Sequence, residues 1–429
     1  MSRIAHRGRI AHILRNPGAA GDKRAIAHFA DGGLLVENGR IKACDDWQKL
    51  NPDPGQWQII QHKNALILPG FVDSHVHFPQ TDIIGGYGSN LLGWLQKYAF
   101  PVEQKIGEDV EYARDTANFF VDELLKNGTT SALVFGTVHK HSIDALFTAA
   151  LARNMRLLAG KVLMDQGAPA DLCETRAAGR ADTLELIKAW HQKGRLGYAI
   201  TPRFALTSSP QQLQDAGQML AAHPDVLMHT HLSENPDEVA AVKRAFPDCA
   251  DYLAVYQAAG LLGPRSVFAH CLHLSASEKQ RLADAGASIA FCPTSNLFLG
   301  SGLFDLRTCQ HAGINVGLGT DIGAGTSFSM LTTQAEAYKV GQLRGTSLHP
   351  FEALYLATLG GAKALHIEQY VGNFAVGKEA DFVVLDTKAT ALLSRRLQGD
   401  SPIHDMLFAF CVLGDERAVR QTWVAGVQS

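Results

Sequence analysis

Apolar and polar positions change rhythm along this chain, and each rhythm predicts its own kind of element. Over the first sixty-odd residues short apolar runs are broken by turn residues, and in GLLVENGRIKAC the pair Asn38–Gly39 separates two runs as a two-residue hairpin would. A small β unit is predicted there. From Leu66 the runs lengthen, starting with ALILPGFVDSHVH, and strand-like and helix-like segments then alternate for roughly 270 residues. Val110, Ala113, Ala117, Val121 and Leu124 recur at spacings of three and four, which predicts an amphipathic helix between Glu108 and Asn127, stopped by Gly128.

Strand-like segments follow in series: TTSALVFG near 129, RLLAGKVL near 156, GYAITPRF near 197, VLMHTH near 226, SVFAHC near 266, ASIAFC near 287 and INVGLG near 314. With the stretch ending at His77 they make eight, and most are separated by helical patterns such as ADTLELIKAWHQ, PDEVAAVKRAF and SASEKQRLADAG. Strands that alternate with helices pair in parallel through right-handed crossovers. Eight such units predict the α/β class and a closed (β/α)8 TIM barrel; an open doubly wound sheet is the competing architecture. After Gly372 the pattern returns to β in ADFVVLD and AVRQTWVAGV, so a second β unit built from both termini is predicted. The limits drawn from these changes are 1–67, 68–371 and 372–429.

Composition narrows the function classes. The 429 residues are 46% hydrophobic and 19% charged, enough for a large conventional core and too apolar for a disordered chain. Basic and acidic side chains number 39 and 42, a net charge of −3, which offers no footprint for a nucleic acid or an anionic lipid surface. No apolar run is long enough to span a bilayer, and the opening MSRIAHRGRIAHILRNP lacks the continuous apolar segment of a secretory signal, so a cytoplasmic protein is expected. The seven cysteines, Cys44, Cys173, Cys249, Cys271, Cys292, Cys309 and Cys411, are scattered and never spaced C-x-x-C. They read as buried small hydrophobes rather than a disulfide framework or a thiolate zinc site. Small-molecule chemistry is what remains.

A barrel places its chemistry at the C-terminal ends of its strands. Phe71-Val-Asp-Ser-His75-Val-His77 ends the first, and because side chains two apart in a strand face the same way, both imidazoles point to one place. The fifth strand ends in His229-Thr-His231-Leu-Ser-Glu234, the sixth in Ala269-His270-Cys271 and the eighth in Gly319-Thr320-Asp321. Imidazole and carboxylate together suit Zn²⁺ or Fe²⁺, and three histidines with one aspartate leave room for water, the pattern of a catalytic site; zinc is the expected metal. Glu234, three residues beyond His231, is placed to turn back over the metal as proton shuttle, with Asp321 as ligand and base and His270 polarising the water or the developing charge. His229, one layer deeper on the same strand, reads as a core histidine, and Lys161 as a buried, paired amine. Gly317-Leu-Gly319-Thr-Asp-Ile-Gly323 has the wrong spacing for a dinucleotide loop.

The segments PGFVDSHVH, HTHLSE, FAHC and GLGTD stand in the order and spacing of the amidohydrolase superfamily, and VGNFAVGKEADFVVLD with RQTWVAGV resembles its composite β-sandwich. The resemblance covers nearly the whole chain and implies a barrel with a small β-sandwich domain made from both termini. Within the superfamily the chain is similar to the guanine deaminases, through PGFVDSHVHFPQ, LLGWLQKYAFPVE, GKVLMD, TPRFALT, HTHLSENPDEVAAVK and FAFCVLGDERAV. That similarity implies one zinc on His75, His77, His231 and Asp321, hydrolysis of guanine to xanthine and ammonia in purine catabolism, and a homodimer. It also implies substrate contacts from Gln80, Arg203 and Phe204 beside His231, Glu234 and His270. These side-chain types agree with a flat base: Gln donates and accepts, Arg offers a planar fork, Phe stacks. Trp94 and Phe100 are left open between pocket wall and lid core, and Phe78-Pro79 departs from the two further polar residues the family often has. The alternatives are another ring aminohydrolase acting on a different purine, a triazine or a pyrimidine, a two-metal cyclic-amide hydrolase, and a non-catalytic scaffold that kept the barrel.

Overall fold

The computed structural model describes residues 3–88, 90–399 and 401–429. Four strands open the chain: β1 (Arg3–Ile13), β2 (Ile26–Glu37), β3 (Arg40–Asp46) and β4 (Gln58–Pro69). Nine follow, interleaved with helices: β5 (Phe71–His77), β6 (Thr129–Phe135), β7 (Arg156–Gly160), β8 (Val162–Leu163), β9 (Gly197–Pro202), β10 (Leu227–Leu232), β11 (Ser266–His270), β12 (Ser288–Phe291) and β13 (Asn315–Leu318). The last are β14 (Phe382–Asp386), β15 (Val419–Val424) and β16 (Val427–Gln428). The chain divides into two compact units, one of residues 1–73, 123–131 and 329–429, the other of 74–122 and 132–328.

The barrel strands run in the order β5-β6-β7-β9-β10-β11-β12-β13, with β8 added on β9. Ladders from β7 to β13 are parallel. Every residue of β5 and β6 is buried, as parallel strands covered on both faces must be, although FVDSHVH and TTSALVF carry polar side chains among the apolar ones. The ends of the sheet meet: the Asp321 amide donates to the His75 carbonyl at 2.9 Å, and the His77 amide to the Ile322 carbonyl at 2.9 Å. A Cβ on Gly319 would sit 3.0 Å from both the His75 Cβ and the Cys292 sulfur, so only glycine lets the last strand leave this close to the first. These bonds make the sheet a barrel, nearly closed, and exclude the open doubly wound alternative.

The predicted segments appear with small adjustments. RLLAGKVL breaks at Lys161 into β7 and β8, because the chain bends there and Val162 pairs with Thr201 on the next strand. The Glu108–Asn127 pattern forms the helix Val110–Lys126, and the three quoted helical patterns form Arg176–Trp190, Pro236–Ala245 and Ala276–Asp284. The last two open with reciprocal caps, Asn235 with Glu238 and Ser275 with Glu278. Cys271, Cys292, Cys309 and Cys411 are buried as expected, whereas Cys44, Cys173 and Cys249 are only partly so, and all seven are free thiols.

The terminal sheet has the order β16-β15-β14-β4-β1-β2-β3, antiparallel except for β1 on β4. Asn38 and Gly39, at φ 52° and 77°, make the predicted turn between Glu37 and Arg40, both left-handed as the tight hairpin requires. The sheet rolls over its own core: Ile41 near one edge and Trp423 near the other share a cluster with Ile10, Leu34, Ile67 and Phe382. The Ile41 amide donates to the Lys378 carbonyl at 2.8 Å and its carbonyl accepts from Gly377 at 2.8 Å, so both faces of a sandwich come from one sheet. No helix among the described residues is long and apolar enough to cross a membrane.

Candidate active site

The six residues read from the barrel strand ends converge. The His75 and His77 Nε2 atoms are 3.2 Å apart, His77 Nε2 lies 3.3 Å from His231 Nε2, and Asp321 Oδ1 is 3.1 Å from His75 Nε2 and 3.3 Å from His77 Nε2. A tetrahedral ion with bonds of about 2.0–2.1 Å would space its ligands by about 3.3 Å, so these atoms fit a borderline divalent cation. Their chemistry agrees. His231 Nδ1 faces the Arg203 carbonyl at 2.8 Å, and since a carbonyl only accepts, the proton is on Nδ1 and the Nε2 lone pair points inward. Burial above all holds His77 down to about 4 and His231 well below the usual range, so both rings are neutral at pH 7. Three imidazole nitrogens and a carboxylate oxygen gathered this closely are the donor set of a cation site.

Asp321 is the anionic member. Burial opposes its ionisation, but the histidines facing it outweigh that and hold its carboxyl well below the ordinary range. Ser233, His270, Cys271 and Asp321 take left-handed φ of 50°, 70°, 54° and 54°, so the strand ends that carry the cluster are the places where the backbone is strained. His229, absent from the predicted ligands, is indeed one layer deeper: its Nε2 lies 2.7 Å from His75 Nδ1, away from the other ligand atoms. A His75 bound through Nε2 carries its remaining proton toward His229, which then orients the ring. Cys292, read as a plain hydrophobe, has its sulfur within 4.8 Å of ligand atoms of His270 and Asp321.

Beside the cluster stands a buried acid. Glu234 Oε1 accepts from the Ser301 hydroxyl at 3.2 Å, and Oε2 lies 3.5 Å from His270 Nε2. Burial first, then the charges of Asp321 and Glu238, push its carboxyl well above the usual range, which favours the protonated form. Glu238 accepts from the Glu234 amide at 2.9 Å and from Tyr252 Oη at 2.8 Å, pinning the backbone under the acid. The Asn296 Nδ2 donates to His270 Nδ1 at 2.9 Å, which leaves the His270 proton on Nε2, facing Glu234 and Asp321.

These groups open onto a cavity. Its walls are Leu91, Trp94, Leu95, Phe204, Leu299 and Ala324, and Gln80 and Arg203 reach it beside the cluster. Apolar walls with a few convergent polar groups suit a small flat ligand. Trp94 is therefore both wall and core, its indole donating to the Gly86 carbonyl at 2.9 Å, while Phe100 lies under the Arg203 guanidinium instead of in the wall. Phe78 packs away from the cavity against Phe120, so the departure at Phe78-Pro79 leaves the lining untouched. Lys161 is buried and paired with Glu174, outside the lining. Sequence reasoning missed Glu103, Asn296, Ser301 and Glu238. Only Glu238 had a local signal, three residues after Asn235 in a capping pattern.

The model of the amidohydrolase family matches residues 66–428. The chain belongs to this family. Among amidohydrolases it is 50% identical over 403 residues to the guanine deaminase of Escherichia coli, covering 94% of this chain and 92% of that one. The solved structure of E. coli guanine deaminase superposes with a TM-score of 0.96 at 48% identity, covering 99% of both chains. A guanine deaminase from C. acetobutylicum, solved with guanine in its active site, gives 0.89 at 31% identity over the full length of both. An adenosine deaminase from Xanthomonas campestris with bound zinc gives 0.85 at 25% identity, covering all of this chain and 92% of that one.

Proposed function

We propose that this amidohydrolase hydrolyses guanine to xanthine and ammonia at a single zinc ion held by His75, His77, His231 and Asp321. The observation that carries the reading is the juxtaposition of four clustered ligand atoms with the buried carboxyl of Glu234 beside an apolar-walled cavity. The guanine deaminases among its relatives, one of them solved with guanine bound, supply the substrate. The zinc-bound adenosine deaminase supports the choice of metal over iron, which the same donor set tolerates.

The metal, when bound, supplies Lewis-acid activation of water at neutral pH. The chain's own groups do the rest. Asp321 Oδ2, 3.8 Å from His270 Nε2, is free to hold a water proton, and the His270 Nε2–H points where negative charge grows on the attacked carbon's substituents. Glu234 delivers its proton to the departing amine, which would otherwise leave as an amide anion, and recovers one from the attacking water, while the second water proton, held by Asp321, passes to ring N3. For the C2 amine to reach Glu234, the 6-oxo edge lies toward Gln80 and Arg203, whose N–H groups suit a carbonyl and ring nitrogen, with the base against Phe204. Water and guanine in, xanthine and ammonia out, balances the step.

A homodimer and a cytoplasmic location belong to the same proposal, the first resting on resemblance and the second on the sequence pattern. The test is direct: zinc-loaded protein incubated with guanine, xanthine and ammonia quantified, metal counted per chain. Absence of xanthine with one zinc bound would remove guanine as substrate, and two metals per chain would remove the mononuclear reading.

A further inference from the structure

Glu103 has no part in the reaction as described, yet it is one of the most buried charges in the protein, with none of its surface exposed. It sits in the first turn of the helix Phe100–Glu108, within the motif LLGWLQKYAFPVE. Its oxygens gather three contacts: Arg203 Nη1 at 2.8 Å to Oε1 and 2.6 Å to Oε2, and Gln80 Nε2 at 3.1 Å to Oε1. Both partners line the cavity and Glu103 does not. A carboxylate withdrawn from water behind the two polar groups that would read the base is costly unless its pairing is complete, as it is here.

We propose that Glu103 is a positioning residue that sets which purine edge the site accepts. Two facts make the argument. A carboxylate only accepts, so Gln80 must turn Nε2 toward Glu103, and the Gly323 amide, donating to Gln80 Oε1 at 3.2 Å, demands the same orientation from the other side. The amide therefore shows the cavity one remaining N–H and one remaining lone pair, in fixed places. Arg203 commits Nη1 to the same carboxylate, and its Nε and Nη2 meet no acceptor among the described residues, so the guanidinium turns a free N–H edge outward. Glu103 also cancels the Arg203 charge, leaving the donor-only Arg203 edge suited to the carbonyl of a neutral ring, not to an anion or an exocyclic amine.

The inference rests on the guanine reading and is tested beside it. Glu103→Gln keeps the shape but brings an amide N–H against the donors of Gln80 and Arg203. Ammonia release from guanine is expected to show KM raised by about tenfold or more with kcat within about threefold. The preference for guanine over 2,6-diaminopurine, measured as a competitive inhibitor, should shrink by a similar factor. In a Gln80→Ala, Arg203→Ala background the same change should move KM by less than about twofold, because its effect passes through those residues. Glu103→Asp, which keeps the charge, should fall between the two and serves if the glutamine variant does not fold. Unchanged KM and discrimination in a folded, zinc-loaded variant, or a cost that adds fully to the double variant, overturns the role of Glu103 while guanine turnover by the parent stands. If the parent instead releases ammonia best from another ring, the guanine reading falls, and Glu103 is judged by the same KM and discrimination on that ring.

Discussion

The carbonyl of Arg203 accepts the Nδ1 proton of His231 at 2.8 Å, so one residue serves both ends of the site. Its backbone chooses the tautomer that turns the His231 lone pair inward, and its side chain reaches the cavity, tied to Glu103. The link follows from barrel geometry: Arg203 leaves β9 and His231 stands one residue before the end of β10, the adjacent strand, so the exit of one strand lies against the last ring of the next.

Removal of the proton held by Glu234 should leave binding and stop turnover. Glu234→Gln preserves size and the Ser301 contact, and kcat is expected to fall by about 10²–10⁴-fold with zinc still at one per chain. Full turnover in a zinc-replete variant would show that another group protonates the amine.

A metal held by the proposed ligands would couple to stability, because His77 Nε2 and His231 Nε2 lie 3.3 Å apart and would share it. Chelation should lower the melting temperature and abolish activity, and added zinc should restore both, since a ligand that binds only the folded state stabilises it. His231→Ala should lose the zinc dependence of melting. A melting curve indifferent to zinc in the parent protein would contradict the ligand assignment.

Asn296 holds the His270 proton on Nε2 by donating to Nδ1 at 2.9 Å. Asn296→Leu frees the ring to take the other tautomer, and kcat is expected to drop about 10–100-fold with metal content unchanged. Steady-state rates paired with metal analysis check it; a loss of metal equal to the loss of rate would point to collapse of the cluster instead.

Acid should weaken the terminal sheet. His6 is held down to about 3 by burial and then by His62, and His62 to about 4 by burial and then by Arg420; the two rings meet at 3.0 Å. Both folded values lie below the ordinary 6.5. Between them and 6.5 the unfolded chain binds more protons than the folded one, so stability rises with pH in that window. It is fully present above about 6.5 and lost progressively as pH falls toward 4 and below. Denaturant melts at pH 7, 5.5 and 4.5 should show this slope, and His62→Gln should flatten it; an identical slope in the variant would place the acid sensitivity elsewhere.

Much of this protein was legible along the chain. Strands buried on both faces are rich in apolar and β-branched residues, so TTSALVF and SVFAH declare themselves, and the alternation with helical stretches implied parallel pairing. The His/Asp cluster was legible for a related reason: a barrel gathers its strand ends, so His75, His77, His231 and Asp321 could be placed together once those ends were found. His229 was separable from His231 only as one layer down, and its contact with His75 Nδ1, 154 residues away, had no trace in either local pattern.

Periodicity and residue type thus determine which elements form and which chemistry their ends carry, because both are properties of neighbours along the backbone. Tertiary structure alone decided who pairs with whom across the site: Glu103 with Arg203, 100 residues on, and Asn296 with His270. Hydrogen bonds and charge pairs are set by distances of about 3 Å in space, and nothing in the order of residues records such a distance until the strands have closed.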